Sequence, residues 1–144
     1  MIRLPPEGLE CIRREAEKAY PYEACGLLVG RRQANGDCVV TWVVPSRNVA
    51  IDQEARKDRF EIDPRLRFDV MRACEGTADD IIGHYHSHPE HPAQPSAIDL
   101  SMAWDKEYVW VIAAVRAGRV EAVTAHLLDA TGRAFEEIPI VTPA

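Results

Sequence analysis

The sequence has little of what membrane proteins and nucleic-acid-binding proteins need. Its 144 residues include 17 lysines and arginines against 23 aspartates and glutamates, which gives a net charge of −6 and a pI near 5.3. A surface that binds a phosphate backbone normally carries a clustered excess of basic side chains. No stretch approaches the roughly 20 apolar residues that cross a bilayer, and residues 1–6 lack the apolar run of a signal peptide. We therefore expect a cytoplasmic protein without a nucleic-acid or membrane partner.

Paired cysteines are also lacking. The four cysteines, Cys11, Cys25, Cys38 and Cys74, form no C-x-x-C pair, so the sequence contains neither a zinc ribbon nor a dithiol redox motif. We expect reduced, buried thiols. Cys25 could alternatively act as a nucleophile beside a distant histidine. Because it lies in the apolar stretch 24–29, its thiol should have a raised pKa, and this alternative is less favoured.

The length and a hydrophobic content of 47% are sufficient for one domain over residues 1–144. Apolar spacing and proline positions predict a first helix between Pro6 and Pro21, a second from Asp63-Pro64 to about Glu75, and a short third from Ser96. Strands are predicted over 26–30, 38–44, 81–86, 108–115, 119–128 and 135–141. This mixture favours an α/β fold, with helices packed on a mixed, mostly antiparallel sheet.

Two connections in this arrangement are unusual. The polar residues 47–59 have no clean periodicity and should form a surface loop that could face a substrate. The proline-rich residues 89–95 should form a stiff, irregular connection after the strand that precedes them.

What the sequence does contain is a cluster of metal-binding residue types. His86, His88, Ser96 and Asp99 form the pattern H-x-H-x7-S-x2-D. Histidines two residues apart on an extended segment point to the same side of the backbone, so both imidazoles can reach one ion. With Asp99 as third ligand, a fourth tetrahedral position stays open for water, as in catalytic zinc sites. The motif therefore predicts one catalytic Zn²⁺ per chain, with a bound water.

Parts of this motif have simpler explanations when each is taken alone. Ser96-x-x-Asp99 before an apolar run is also a helix-capping signal. A lone strand histidine is usually a packed or surface residue. Only the conjunction of the four positions favours the metal site.

The same stretch resembles the JAMM motif of the MPN-domain metalloproteases, in which a distant glutamate precedes H-x-H-x7-S-x2-D. Glu23 matches the upstream position, because residues 21–30, PYEACGLLVG, are similar to the E-x-x-G-x-L/V-x-G segment of that family. The resemblance spans nearly the whole chain. It implies the MPN fold, which is cytidine-deaminase-like, with zinc bound by His86, His88 and Asp99. Deaminase chemistry is not implied, because the H-x-E and P-C-x-x-C signature is missing.

The resemblance also implies a hydrolytic mechanism with two catalytic residues. Zinc lowers the pKa of a bound water to about 7, and Glu23 would take the proton of that water. Ser96 would donate its hydroxyl to the tetrahedral oxyanion, the role that the family assigns to the matching serine. Without the downstream motif, Glu23 would be an ordinary charged residue at a helix-to-strand junction.

Other residues near the motif are expected to have lesser roles. Ser87 should point away from the ion and meet nearby backbone. His84 shares the face of the two ligands, where many relatives carry a bulky aromatic residue; it could orient a ligand, but packing is favoured. His91 could touch substrate, although a solvated side chain is the default, and His126 is expected to be structural. The three tryptophans, Trp42, Trp104 and Trp110, are expected to pack in the core.

The substrate is implied by the resemblance more than by the residues. The family hydrolyses a peptide or isopeptide bond after the C-terminal tail of a ubiquitin-like protein. Such a tail would pair with an exposed strand edge, with residues 47–59 as a candidate wall. Only a short helix separates Asp99 from the strand at Tyr108, so the chain looks like the minimal prokaryotic members that process sulfur-carrier proteins.

Three alternatives remain open at this point. The nearest is a deubiquitinase-like isopeptidase that acts on protein conjugates, because both substrates offer the same tail to the same zinc. A non-catalytic MPN scaffold is opposed by the complete motif, since inactive relatives typically lose one or more of its residues. A zinc hydrolase of small-molecule amides would use identical chemistry, but no deep-pocket insertion is predicted.

Overall fold

The computed structural model of the protein describes residues 1–50 and 52–143. Within them lie three α-helices, α1 (Pro6–Ala19), α2 (Pro64–Cys74) and α3 (Ala97–Met102), and a 3-10 turn over Ala55–Lys57. The strands are β1 (Ile2–Arg3), β2 (Cys25–Arg32), β3 (Cys38–Ser46), β4 (Asp80–Pro89), β5 (Val109–Arg116), β6 (Arg119–Leu128), β7 (Phe135–Ile138) and β8 (Ile140–Val141). No helix in the described ranges has the length and apolar character needed to cross a membrane.

The strands form one mixed sheet in the order β7-β6-β5-β4-β2-β3-β1-β8. The pairs β2–β3, β2–β4, β5–β6 and β6–β7 are antiparallel, whereas β4–β5, β1–β3 and β1–β8 are parallel. The predicted α/β fold with a mixed, mostly antiparallel sheet is confirmed.

The end of the chain differs from the prediction of one strand over 135–141. Pro139 divides this segment into β7, which pairs with β6, and β8, which pairs with β1 at the other end of the strand order. The amide of Ile2 donates to the carbonyl oxygen of Pro139 at 3.0 Å. One extended segment therefore joins both ends of the sheet, and the two-residue strand β1 was too short to show a periodicity.

The first two helices begin and end where the sequence predicts. Pro6 lies in the first turn of α1, where its missing N–H costs nothing, and Ile12 and Ala16 are buried. At the start of α2 the carboxylate of Asp63 accepts a hydrogen bond from the amide of Arg65 at 3.0 Å.

The helices cover the two faces of the sheet, which we call the α1 face and the α2 face. On the α1 face, Leu28, Tyr85 and Val111 belong to an apolar core that also includes residues of α1. On the α2 face, a second core contains Phe60, Trp110 and Val70 of α2. The two histidines of the predicted metal site lie in β4, so their surroundings depend on which side chains of β4 point to the α1 face and which to the α2 face.

A β-bulge in β4 decides that question. Along β2, Leu28 pairs with Gly83, but the next residue, Val29, pairs with Ile81, so Ile82 is an extra residue in β4. Ile82 packs in the core of the α1 face, whereas Ile81 packs against the core of the α2 face. The bulge shifts the alternation of side chains just before the histidines.

After the bulge, β4 alternates regularly. His84 contacts Trp110 on the α2 face, and Tyr85 packs on the α1 face. Gly83 permits the close approach of β5 at this point, because a Cβ there would lie 2.2 Å from the carbonyl oxygen of Val109. Any side chain at Gly83 would push β4 and β5 apart beside the predicted site.

The expectation that all three tryptophans pack in the core needs correction. Trp110 is buried, but 47% of Trp42 and 85% of Trp104 are exposed, so core packing is wrong for these two. Both were assigned to regular elements, and Trp104 lies beyond the end of α3, in a connection without regular structure. Residues 47–59 form a surface connection that contains the 3-10 turn; Ile51 lies outside the described residues.

Candidate metal centre

His86 and His88 lie on the α2 face near the carboxyl end of β4. Both side chains are buried, and their Nε2 atoms are 3.0 Å apart. Ser87 between them points away from this cluster, and its hydroxyl oxygen accepts a hydrogen bond from the amide of Ala24 at 2.7 Å. The spacing of two residues thus brings the imidazoles together, as predicted for an extended segment.

Asp99 completes a triangle of potential ligand atoms. Its Oδ2 lies 3.2 Å from Nε2 of His86 and 3.1 Å from Nε2 of His88. Burial alone would raise the pKa of Asp99, but hydrogen bonding to both imidazoles outweighs burial and holds that pKa well below its usual range. The group is therefore a carboxylate, and these three residues could hold a metal ion.

Asp99 is placed by the helix cap that the pattern Ser96-x-x-Asp99 also predicts. Ser96 Oγ accepts from the amide of Asp99 at 3.0 Å, and Oδ2 of Asp99 accepts from the amide of Ser96 at 2.9 Å. This capping box begins α3. Cap and cluster coexist, because the oxygen that caps the helix also faces both histidines. The hydroxyl of Ser96 only accepts in the cap, so its proton can be donated to another group.

The donor set suits a cation. Nδ1 of His88 lies 3.0 Å from the carbonyl oxygen of Pro92 and donates to it, and in the neutral ring that a metal ligand requires this leaves Nε2 bare. That bare nitrogen faces the Asp99 carboxylate, so two acceptors are in contact. Burial lowers the pKa of His86. In its neutral form, Nε2 of His86 carries at most one proton, so it can donate to either His88 or Asp99 but not to both. Ligand distances of about 2.0–2.1 Å in a tetrahedral zinc shell imply ligand separations of about 3.4 Å, close to the triangle described above.

Glu23 lies beside this cluster, in the turn between α1 and β2. It is buried, and its amide donates to the carbonyl oxygen of Arg56 at 2.6 Å. The side-chain amide of Asn48 donates to the carbonyl oxygen of Glu23 at 3.1 Å. The loop that we expected to form one wall for a substrate thus holds the main chain of Glu23.

The side chain of Glu23 is electrostatically unusual. Within the described residues, its buried Oε1 has no hydrogen-bond partner. Burial, followed by the charges of Asp99 and Asp58, raises the pKa of Glu23 to about 9, and only Arg59 opposes the shift. A carboxyl group that senses Asp99 and has no partner of its own is available for proton transfer.

Cys25 is not arranged as a nucleophile. Burial raises the pKa of its thiol to about 12, and Sγ contacts the carbonyl oxygens of Arg47 and Glu61 at 3.7 and 3.9 Å. All four cysteines are free thiols. The expectation of reduced thiols is met, although Cys11 is only half-buried.

Beside the cluster lies an apolar groove that sequence reasoning did not find. It has a volume of about 560 Å³ and runs between residues 60–62, α2 and the end of α3. Phe60 in its wall stacks on the ring of His86, with centroids 4.4 Å apart. Four exposed apolar side chains belong to its lining: Phe68, Met71, Met102 and Trp104. The only sequence signal was the spacing of Phe68 and Met71, which places both on one side of α2.

The remaining histidines divide between packing and solvent. His84 lines the groove, and its ring packs 4.3 Å from that of Trp110 and 5.2 Å from that of Tyr108, in line with the packing role. His91 is exposed in the proline-rich connection. His126 is buried on β6.

Comparisons with known proteins agree with this geometry. A family model described as prokaryotic homologs of the JAB domain matches residues 5–126. The desampylase of Haloferax volcanii is 37% identical over 120 residues, which cover 83% of this chain and 78% of that protein. A probable TtuB-protein conjugate cleaving protease of Thermus thermophilus is 33% identical over 111 residues, 76% of this chain and 69% of that protein.

A solved structure supports the same assignment. The solution structure of a protein from Desulfitobacterium hafniense superposes with a TM-score of 0.82 at 30% identity and covers 99% of this chain and 93% of its own. The resemblance drawn from the JAMM motif is thereby confirmed. The chain belongs to the family of prokaryotic homologs of the JAB domain.

Proposed function

We propose that this protein is a single metallopeptidase domain over residues 1–144 that hydrolyses a peptide or isopeptide bond at the C-terminal tail of a ubiquitin-like protein of the sulfur-carrier type. The observation that carries the proposal is the buried triangle of His86, His88 and Asp99 beside Glu23, whose buried Oε1 has no hydrogen-bond partner among the described residues. The class of activity, a hydrolase, is confirmed by relatives named as a desampylase and a conjugate cleaving protease.

His86, His88 and Asp99 are the proposed zinc ligands. Two neutral imidazoles and one carboxylate are ligands that zinc accepts, and three protein ligands leave one position open. Zinc bound there would acidify a water and polarise the scissile carbonyl group.

Glu23 is the proposed general base. In the metal-free chain its raised pKa of about 9 keeps the carboxyl group protonated at neutral pH. A positive charge nearby favours the carboxylate form that a base needs. Glu23 would then accept the proton of the attacking water and deliver it to the leaving amine, so that no net proton is gained or lost.

Ser96 is the proposed donor to the oxyanion that forms when water attacks the carbonyl carbon. Its oxygen is fixed by the cap at the start of α3, 3.0 Å from the amide of Asp99. Because the hydroxyl proton is not used in that cap, it can point to the developing negative charge. The same turn of the chain therefore holds the Ser96 oxygen and Asp99, one of the three proposed ligands.

The groove is the proposed site for the substrate tail. Residues 60–62 form an extended segment, in which the amide of Val49 donates to the carbonyl oxygen of Glu61 at 2.9 Å. In the described part of the chain no hydrogen bond engages the main chain of Phe60 or Ile62, so the other side of this segment is an available strand edge. A tail that pairs there gains sequence-independent backbone bonds and leads to His86, on which Phe60 stacks.

The alternatives are less well supported. A scaffold has no use for an intact triangle together with a buried Glu23. The groove is open and lined by exposed apolar side chains, which suits a polypeptide better than a small amide. The substrate tail carries either a C-terminal extension or an isopeptide-linked protein. Incubation with both kinds of substrate in parallel distinguishes these two cases. All four cysteines are free thiols, as is usual in the cytoplasm, where we place the activity.

Intact mass spectrometry tests the proposal. The zinc-loaded protein is incubated with a sulfur-carrier protein extended beyond its Gly-Gly, and in parallel with the same carrier joined to a lysine of a second protein. We expect chelator-sensitive cleavage that ends at Gly-Gly, and none with Glu23→Gln. No cleavage of either substrate by demonstrably zinc-loaded protein would overturn the proposal.

A matched pair of tryptophan variants tests the groove within that assay. Trp104 is exposed at the groove, and Trp42 is exposed on β3, away from it. We expect Trp104→Ala to raise KM for the carrier protein about tenfold, and Trp42→Ala to leave KM unchanged. Equal KM values for the two variants would place the substrate elsewhere.

A further inference from the structure

The orientation of His88 depends on the proline-rich connection that follows β4. Nδ1 of His88 donates to the carbonyl oxygen of Pro92 at 3.0 Å. This single bond fixes the tautomer, because a neutral imidazole has one N–H, and so directs a bare Nε2 into the triangle. Residues 90–95, which we call the ligand loop, belong to no helix or strand. Inside the loop, the amide of Gln94 donates to the same Pro92 oxygen at 2.8 Å, so the position of the Pro92 carbonyl depends on what holds the peptide group between Ala93 and Gln94.

Two residues of β6 hold the adjacent carbonyl. Thr124 Oγ1 donates to the carbonyl oxygen of Ala93 at 2.6 Å, and Nε2 of His126 lies 2.8 Å from Thr124 Oγ1. A hydroxyl has one proton, and Thr124 gives that proton to Ala93. His126 must therefore donate its Nε2–H to Thr124, which defines the direction of the whole chain of bonds.

The burial of these groups makes the arrangement rigid. His126 and Ala93 are both buried, and Ala93 packs with Ile112 and Ala114 of β5. Burial lowers the pKa of His126, so the ring is neutral and has one donor to give. The Ala93 carbonyl and the Gln94 amide belong to one planar peptide group, and that amide donates to the carbonyl oxygen of Pro92 at 2.8 Å. A shift of the Ala93 carbonyl therefore shifts the Pro92 carbonyl as well.

We infer that Thr124 and His126 are positioning residues that orient His88 for metal binding, through the Ala93 and Pro92 carbonyl groups of the ligand loop. His126 was expected to be structural only, and the H-x-H-x7-S-x2-D motif does not include Thr124. Partners of metal-bound histidines that lie outside the ligand set contribute about 10- to 100-fold to metal affinity. This inference rests on the proposed metal site, but not on the proposed substrate.

The test is a measurement of metal binding that needs no substrate. Thr124→Val removes the hydroxyl and keeps the shape of the side chain, and Thr124→Ser restores the hydroxyl. Thr41→Val is the matched control, because Thr41 Oγ1 donates to the Asp79 carboxylate at 2.8 Å, near the start of β4 and away from the ligands. Zinc affinity is measured by competition with a chromogenic chelator, and the geometry of the site by the visible absorption of the Co²⁺-substituted protein.

We expect Thr124→Val to bind zinc about tenfold more weakly and to change the Co²⁺ spectrum. Thr124→Ser and Thr41→Val should behave as the wild-type protein. His126→Leu should cause a smaller loss of affinity than Thr124→Val, and His126→Gln, which keeps a donor, a smaller loss still.

Three results would overturn the inference: unchanged zinc affinity in a folded Thr124→Val, no rescue by Thr124→Ser, or an equal loss in Thr41→Val. If Thr124→Val does not fold, the comparison of His126→Leu with His126→Gln decides. If zinc binding behaves as expected and no carrier protein is cleaved, the proposed function fails while this inference stands.

Discussion

The two faces of β4 show that burial of a polar group and formation of a site are different things. On the α1 face, Tyr85 is fully buried in an apolar core, and its hydroxyl has no hydrogen-bond partner in the described part of the chain. On the α2 face, His86 and His88 are buried too, but their nitrogens converge with Asp99 within about 3 Å. Both faces contain buried polar atoms, yet only one collects several of them at one point.

The cause of the difference is local. The bulge at Ile82 sets which side chains of β4 meet which core, and the cap at Ser96 brings a carboxylate to one face only. The α1 face has no equivalent, because α1 presents Ile12 and Ala16 to the sheet. A catalytic site requires several polar groups at one point. Variants of these groups measure how much each contributes to metal binding, rate and stability.

The largest effect is expected from the loss of a ligand. His88→Ala should lower zinc affinity by more than about 100-fold, because even indirect partners of a metal ligand contribute about 10- to 100-fold, and should abolish hydrolysis. The control is His91→Ala, an exposed residue three positions further along. Metal content after dialysis and peptidase rate are the measurements. Equal zinc retention by the two variants would remove His88 from the ligand set.

Glu23→Gln is expected to reduce the rate without loss of metal. Removal of a general base costs about 10²- to 10⁴-fold, while the amide is isosteric with the carboxyl group and touches no ligand atom in the triangle. The measurements are kcat and zinc stoichiometry, with Glu121→Gln on the exposed side of β6 as control. A Glu23→Gln variant with full activity would show that another group takes the proton.

Ser96→Ala should reduce kcat by about 10²- to 10³-fold, the usual cost of one oxyanion donor. It should also lower stability by about 1 kcal/mol, because the N-cap of α3 is lost. Ser96→Thr keeps both the hydroxyl and the cap and should retain most of the activity. If Ser96→Thr is as slow as Ser96→Ala while thermal stability recovers, the hydroxyl acts only as a cap.

The metal-free protein should lose stability as pH rises, and Glu23 should be the reason. Its pKa is about 9 in the folded chain and 4.5 as its ordinary value. A raised pKa means that the folded state holds the proton more tightly, so the contribution of Glu23 is complete below about pH 4.5 and is lost as pH rises towards about 9.

Metal-free Glu23→Gln should therefore be more stable than the wild type at pH 8, by about 2–4 kcal/mol, and the two should converge near pH 5. Denaturant unfolding of both proteins in the presence of chelator measures this difference. The same stability gap at both pH values would mean that proton binding by Glu23 is not responsible.

The smallest effect on activity is expected on the other face. Tyr85→Phe removes a buried hydroxyl that has no partner, and an orphaned buried donor costs about 1–3 kcal/mol. The variant should keep wild-type kcat and KM and should be at least as stable in denaturant unfolding. A stability loss above about 1 kcal/mol, or a change in kcat, would show that Tyr85 serves the site through the strand.

The sequence was sufficient for the parts of the molecule that depend on local patterns. Apolar spacing and proline positions identified α1 and α2, apolar runs identified β2 and β3, and the residues of the triangle are close in the chain. Glu23 could be found only through the family pattern, because nothing near it in sequence indicates a metal site. The groove and the exposure of Trp104 depend on how α2 and α3 pack. The periodicity of apolar residues does not predict that packing.

The division of the last strand at Pro139 could not be read from the sequence for a related reason. Residues 135–141 are short enough for one strand, and the partners that separate the two halves of this segment, β6 and β1, are remote in the chain. Ser96 shows the opposite case. Its capping signal was correct but incomplete, because the cap also places the Asp99 carboxylate against both histidines.

The segment that joins both ends of the sheet has a consequence for biosynthesis. Because β7 and β8 are made last and β8 pairs with β1, the first strand, the sheet cannot be completed on the ribosome before residue 141 emerges. Until then β6 and β1 both remain open edges that can pair with other nascent chains. The final seven residues of the sheet therefore cover the edges of β6 and β1 that an incomplete chain leaves open.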